Sequence, residues 1–379
     1  MGGAIESRLL IVVGESSGDR HAAHLIEALK AQRAFSARGV TGPLLERAGV
    51  QPIASFDALA VVGFTGVLTR LPRIFSLYRR LLAEAREFRP HAAVLVDSPG
   101  FNLRLGPDLH RLGIPVFYYI APQVWAWHAG RAAEMSRWVT KLAVVFPFEE
   151  PLFRNAGVDA RFVGHPLLES GIDTPAREPF FEAAGVAPGS RLLGLLPGSR
   201  RSEVRSLLPH LEAAARELVA GRPDLAVRFA IAPGLEDEFP ERLRRGDGPI
   251  RALSGATAAI QRHADACVVC SGTATLETAL CGTPLVIVYR TGWLNHAIAR
   301  RLVRLDRIGL PNIVAGTDVA PELIQQDVTA PRIAAAVAPW LDDPAARRAQ
   351  SERLAVVRER LGAPGASARA AALLAGMLP

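Results

Sequence analysis

Four short turns concentrate the residues able to act on a ligand. Asp97 ends the apolar run of AAVLVDSPGFN. A carboxylate at the carboxyl end of a parallel strand faces the ligand crevice and can take a proton from an attacking hydroxyl. It serves equally as an Asx turn capping the segment Phe101–Leu112. Near the N-terminus, RLLIVVGESSGD places Gly14, Glu15, Ser16, Ser17, Gly18 and Asp19 behind a short apolar run. Ser16, Ser17 and Asp19 are N-cap types, Gly18 allows close approach, and the N–H groups of the next helix point at whatever occupies the crevice. An ordinary strand-to-helix turn accounts for those twelve residues just as well.

The other two turns suit a diphosphate. RLLGLLPGSRRSEV runs a strand into Pro197-Gly198-Ser199-Arg200, with Ser202 and Glu203 starting a helix. The spacing predicts a guanidinium and free backbone amides at a strand's carboxyl end; the plain alternative is a solvated Arg200. In CVVCSGTATLETALCGTP, Ser271, Gly272 and Thr273 follow a strand and Glu277 lies about one helical turn further on. Hydroxyls at 271 and 273 can donate to a phosphate, and the carboxylate can accept from ribose hydroxyls. Neither G-x-G-x-x-G nor G-x-x-x-x-G-K-[ST] occurs, which lowers dinucleotide and P-loop readings. There is no D-x-D pair, so Arg200 and helix N-termini are expected to stabilise a leaving diphosphate. Nine histidines show no ligand spacing, and no metal or cofactor is expected. His165, in Gly164-His165-Pro166, either lines the crevice or is a satisfied turn histidine.

Alternating strand-like and helix-like segments must position these turns. The pattern predicts strands at 8–13, 92–97, 115–120, 141–146 and 161–164 with helices at 18–32, 71–88 and 103–112. After the proline-rich stretch 170–190 it predicts strands at 191–196, 226–232, 266–270 and 284–289, helices at 202–219, 255–263 and 274–281, and further helices beyond 292. This is an α/β chain of two doubly wound Rossmann-like domains facing across a cleft. The expected divisions are a first α/β domain at 1–168, a second at 169–345, and C-terminal helices at 346–379 that pack back on the first domain or on a partner subunit.

The 379 residues carry a formal charge of +7, and all but two of the 44 basic residues are arginine, the lysines being Lys30 and Lys141. That balance fits a phosphorylated substrate or a membrane surface, and no nucleic-acid-binding motif appears. Three cysteines argue for a reducing compartment, with Cys267 and Cys270 read as core thiols. No secretory h-region is visible before Glu15, and no apolar run reaches about 18 residues, so membrane association is expected to be peripheral. Ile74, Leu77, Tyr78, Leu81 and Leu82 have the spacing of a helix face that packs on its own sheet. Val62, Phe64, Val67, Leu68 and Leu71 are surplus to that face and stand near Arg70, Arg73, Arg79 and Arg80, which predicts a membrane or acyl-chain contact.

Taken together, GESSGD at 14–19, VDSPGFN at 96–102, YIAPQVWAW at 119–127, FPFE at 146–149, GHP at 164–166, LPGSR at 196–200, SGTATLE at 271–277 and GLPN at 309–312 resemble the lipid-A-disaccharide synthase family. The resemblance implies a GT-B hexosyltransferase with an inverting, metal-independent transfer. It joins UDP-2,3-diacylglucosamine to 2,3-diacylglucosamine 1-phosphate, giving the β(1→6) lipid A disaccharide 1-phosphate and UDP for lipopolysaccharide of the Gram-negative outer membrane. It also implies Asp97 as general base, with Glu15 and Ser17 in the catalytic set on the acceptor and sugar side. Gly14, Gly18, Ser199, Arg200, Ser271, Gly272, Thr273, Glu277 and Asn312 are the implied substrate and UDP contacts. A cytoplasmic enzyme peripheral to the inner membrane, forming a homodimer by exchange of C-terminal segments, completes the expectation. One departure is His128, where many relatives carry a basic residue; Arg131 is nearby in sequence. The rival classes are another UDP-sugar enzyme, such as a 2-epimerase or a different lipid-linked glycosyltransferase, and a non-catalytic nucleotide-binding or membrane-bound module.

Overall fold

Apolar runs buried on both faces become the inner strands of two parallel sheets. The computed structural model describes residues 6–59, 64–124, 130–169, 174–291 and 307–379, with the backbone alone over 64–71. The chain divides into unit 1, Met1–Glu169 with Leu361–Pro379, and unit 2, Ser170–Arg360.

Unit 1 holds β1 (Ser7–Val12), β2 (Phe35–Thr41), β3 (Gln51–Ser55), β4 (Ala92–Val96), β5 (Val116–Tyr119), β6 (Lys141–Val144) and β7 (Ala160–Phe162). Their order is β3-β2-β1-β4-β5-β6-β7, and every pairing is parallel. Because β1 pairs with both β2 and β4, the winding reverses between β1 and β4. The turns that leave those two strands therefore flank a crevice at their carboxyl ends. Helices Ser16–Lys30 and Pro99–Arg111 begin at those turns. The helix Phe64–Phe88 starts earlier than the periodicity predicts. Its Leu77 and Leu81 are buried in the core, with Ile74, Tyr78 and Leu82 packed against it.

Unit 2 repeats the scheme with β8 (Arg191–Leu196), β9 (Leu225–Ile231), β10 (Ile250–Ser254), β11 (Ala266–Cys270), β12 (Leu285–Tyr289) and β13 (Glu322–Ile324). The order β10-β9-β8-β11-β12-β13, again parallel throughout, puts the reversal between β8 and β11. Cys267 and Cys270 are buried in β11. The stretch 170–190 contains a helix, Arg177–Ala183, which the sequence pattern does not reveal. Among the described residues, no helix is long and apolar enough to cross a membrane.

The last helix, Ala366–Ala375, belongs to unit 1. Ser367 donates from its backbone N–H and its hydroxyl to the two carboxylate oxygens of Glu169, each at 2.5 Å. Arg369 reaches the carbonyls of Val163 at 2.8 Å and Ala363 at 2.7 Å.

Candidate active site

At the reversal point of unit 1 the turns after β1 and β4 touch. A Cβ on Gly14 would stand 2.1 Å from Ser98 Oγ, so glycine at 14 is what lets the turns close on each other. Gly18 is different: a Cβ there would meet Val13 at 3.6 Å, an ordinary contact. Glu15, not Ser16 or Ser17, is the N-cap of the helix Ser16–Lys30, and its side chain makes no capping bond. Ser17 Oγ donates to Glu15 Oε1 instead. Asp19 is buried and accepts from the N–H groups of Gly42, Leu44 and Leu45 at 2.8, 2.9 and 3.2 Å, so it secures a neighbouring loop.

Asp97 and Ser98 both adopt left-handed backbone, with φ of +45° and +47°. For non-glycine residues this costs about 1–2 kcal/mol each, which marks the turn as held from outside. The holding groups are Tyr118 Oη and Asn102 Nδ2, donating to the Asp97 carbonyl at 2.7 and 2.9 Å. Burial, and then the neighbouring Glu15, push the Asp97 carboxyl up to about 6, while the Ser98 backbone N–H pulls it down. A carboxylate tuned to that value accepts a proton more readily than an ordinary aspartate and is still ionised at neutral pH. Asp97 caps no helix; Ser98 is the N-cap of Pro99–Arg111.

The reversal point of unit 2 is built from other material. The helix Arg201–Ala220 has Arg200 as its N-cap. The expected free amides are occupied, because Glu203 Oε2 accepts from the N–H groups of Ser199 at 3.1 Å and Arg200 at 3.2 Å. Gly198, at φ +118°, is required: a Cβ would lie 2.5 Å from Glu203 Oε2. Arg200 also pairs with Glu203 at 2.8 Å, yet its side chain stays 78% exposed. Ser271 likewise departs from expectation, since its hydroxyl donates to the Ile308 carbonyl at 3.0 Å and has no proton left for a phosphate. The helix Thr273–Leu280 starts with no side-chain cap, Gly272 and Thr273 are exposed, and a Cβ on Gly272 would meet nothing within 4 Å. Glu277 lies in that helix, 3.4 Å from Gln261 Nε2.

Asn312 is buried and its side chain is saturated. Nδ2 donates to Ala320 O at 2.8 Å and Glu322 Oε1 at 2.7 Å, and Oδ1 accepts from the N–H groups of Val319 and Ala320, both at 2.8 Å. That exhausts an amide's four bonds, so in this structure Asn312 organises the loop and its side chain has nothing left for a ligand. Glu322 completes the arrangement by accepting from Ile308 N at 3.0 Å and Gly309 N at 2.9 Å. A Cβ on Gly309 would collide with Ile287 at 2.2 Å, which explains the glycine of GLPN.

Tyr118, Asn102 and Glu322 are the residues missing from the sequence reading. Glu203 was read only as part of a helix start, and its grip on the Ser199 and Arg200 amides was not foreseen. His165 is a satisfied turn histidine: Nδ1 accepts from Leu167 N at 3.2 Å, and burial pushes its pKa down to about 3. His128 and Val62 fall outside the described residues, as do the side chains of Phe64, Val67, Leu68 and Leu71. Just beyond them, Phe75 is 62% exposed with the Arg79 guanidinium 5.8 Å from its ring centre. Unit 2 also has a cavity of about 700 Å³ at the opposite end of its sheet, but its arginines already pair with carboxylates, Arg191 with Asp224 and Arg347 with Asp265.

Two parallel, doubly wound α/β units with motif turns at both reversal points define the GT-B class. The same fold is seen in UDP-GlcNAc 2-epimerase from Neisseria meningitidis, 12% identical with a TM-score of 0.70, covering 97% of this chain and 100% of that one. MurG from Acinetobacter baumannii shares it at 15% identity and a TM-score of 0.59, covering 98% and 100%. The family model for lipid-A-disaccharide synthetase matches residues 9–375. The lipid-A-disaccharide synthase of Syntrophus aciditrophicus (strain SB) is 44% identical over 96% of each chain. The chain belongs to the lipid-A-disaccharide synthetase family, whose members are glycosyltransferases of lipid A biosynthesis.

Proposed function

We propose that Asp97 is the general base of this glycosyltransferase. The reaction is transfer of 2,3-diacylglucosamine from its UDP derivative to the 6-hydroxyl of 2,3-diacylglucosamine 1-phosphate. The observation that carries the reading is Asp97 itself, a carboxylate at a strand end and reversal point, pushed up to about 6 by burial and Glu15. The acceptor hydroxyl gives its proton to Asp97 as its oxygen attacks the donor's anomeric carbon, and the bond to the UDP oxygen breaks. Inversion requires the base and the departing diphosphate to lie on opposite faces of that carbon. Arg200 and the uncapped first turn of Thr273–Leu280 take the diphosphate charge. Open space at the exposed Gly272 lets a phosphate approach the backbone, whereas Gly18 is buried against Val13 and Val96 and seats the first turn of its helix on the sheet. Glu15 and Ser17 line that side and set the charge around Asp97, while Ser199 and Ser271 shape the UDP side through the turns they hold. Glu277 receives the ribose hydroxyls.

The same reading places the enzyme at the cytoplasmic face of the inner membrane. Exposed Phe75 among the exposed Arg73, Arg79 and Arg80 supports a basic, apolar contact continuing from Val62, Phe64, Val67, Leu68 and Leu71. A homodimer formed by exchanging C-terminal segments would remake between chains the Glu169–Ser367 and Val163–Arg369 bonds described above. The test is incubation of the purified protein with UDP-2,3-diacylglucosamine, with and without the acceptor phosphate. UDP and disaccharide phosphate should appear only when both substrates are present. Turnover of the donor without acceptor, with formation of a 2-epimer, would instead make this a UDP-sugar epimerase.

A further inference from the structure

Two fully buried polar side chains from different elements converge on one carbonyl. Tyr118, in β5, and Asn102, in the first turn of Pro99–Arg111, both donate to the oxygen of Asp97, and Asn102 Nδ2 reaches Val96 O as well at 3.2 Å. The Asp97 N–H stays on the ladder, donating to Tyr119 O at 3.1 Å. The peptide joining Asp97 to Ser98 is thus fixed from within the sheet, at the point where the backbone turns left-handed twice in succession. From the other side Gly14 packs on Ser98. Nothing in the packing of the Tyr118 ring, set against Trp138 with centroids 6.2 Å apart, needs the hydroxyl. A phenylalanine would fill the same space, so the oxygen at this position acts on the Asp97 carbonyl.

We infer that Tyr118 and Asn102 are positioning residues for Asp97. They clamp its carbonyl and so hold the turn from which its carboxylate leaves the strand. The inference rests on the base role proposed for Asp97. Released from the clamp, the peptide can rotate toward ordinary backbone conformations and swing the carboxylate away from the attacking hydroxyl. The titratable groups facing Asp97 are Glu15 from the turn after β1 and Tyr118 itself from β5. Burial keeps the Tyr118 phenol neutral, so Tyr118→Phe removes no charge and leaves Glu15 in place, and a change in Asp97 titration then reports the carboxylate's position.

The experiment uses the full chain with Tyr118→Phe and Asn102→Ala, each made in the parent and in an Asp97→Asn background. UDP release is followed with both substrates on either side of pH 6. Each single substitution should lower kcat by about 10- to 100-fold, the scale of an ångström-sized misplacement, and leave the donor KM unchanged. The acidic limb of the pH profile should move to lower pH as the carboxylate swings into water. In the Asp97→Asn background neither substitution should cost anything more, because groups that act as one unit are not additive. The limb's position is independent of the fraction of molecules folded, so a destabilised variant is still readable. A parental kcat and limb in Tyr118→Phe, with Asp97→Asn inactive, would overturn the clamp and leave the base standing. Losses that multiply in full onto Asp97→Asn would overturn it too. Full activity in Asp97→Asn would remove the base and the clamp together.

Discussion

The reversal points of units 1 and 2 occupy the same place in the same strand order, but they are held in opposite ways. In unit 1, side-chain donors grip a carbonyl: Tyr118 and Asn102 hold Asp97 O, and the turn carries two strained non-glycine residues. In unit 2 a carboxylate grips amides at the turn after β8, where Glu203 holds Ser199 and Arg200. Ser271, after β11, leans on the Ile308 carbonyl of a loop whose Ile308 and Gly309 amides Glu322 holds. At the turn after β8 the positive φ falls on a glycine, Gly198. Topology supplies the location, and the turn's own chemistry then decides what the location does. A carbonyl clamp presents a half-buried carboxylate with a raised pKa. Amides tied down by acids leave a guanidinium and an uncapped helix start as the local positive groups.

If that division of labour holds, the largest single effect belongs to Asp97. Asp97→Asn should lower kcat by about 10²–10⁴, the usual contribution of a general base, without changing the melting temperature appreciably. A rate near the parent's would break the unit 1 half of the comparison. Asn312→Ala should do the reverse. It strands the N–H groups of Val319 and Ala320 and a carbonyl, so stability should fall by about 2–3 kcal/mol, read as a lower denaturation midpoint. A folded, equally stable variant with lost UDP affinity would show that Asn312 meets the ligand directly.

Smaller effects sharpen the picture. Phe75→Ser should weaken binding to anionic vesicles by about fivefold, or roughly 1 kcal/mol, and binding by the parent should fall as salt rises. Unchanged sedimentation with vesicles would place the membrane contact elsewhere. The pH profile should show the smallest change. Activity should decline as pH falls through about 6, because protonated Asp97 cannot accept the hydroxyl proton. Glu15→Gln removes a negative charge that disfavours ionisation of Asp97, so the decline should begin at lower pH. An upward move would mean that Glu15 does not face Asp97.

How much was legible in the sequence follows from the same physics. β1, β4, β8 and β11 are central and buried on both faces, so they read as continuous apolar runs, and the turns that follow them were read with them. The edge strand β7 and the near-edge strands β6, β9 and β12 were read as well. But β2, β3, β10 and β13 escaped: β2 is FSARGVT, β3 contains Pro52, β10 has one fully buried residue in five, and β13 spans three half-buried residues. Within the site, residue types at turns were visible but bond directions were not. Ser271 looked like a phosphate donor and instead serves Ile308. Asn312 looked like a ligand contact and is spent on its own loop. Tyr118 lay hidden because its partner is 21 residues away and only the pairing of β4 with β5 brings them together.

The most direct test of the division between the two units is UDP affinity, measured by titration calorimetry on Asp97→Asn and Arg200→Ala side by side. The account predicts that Asp97→Asn binds UDP like the parent although it barely turns over. Arg200→Ala should bind about tenfold more weakly, at the low end for a charged hydrogen bond because the side chain is exposed. Weakened UDP binding in Asp97→Asn together with parental binding in Arg200→Ala would contradict it.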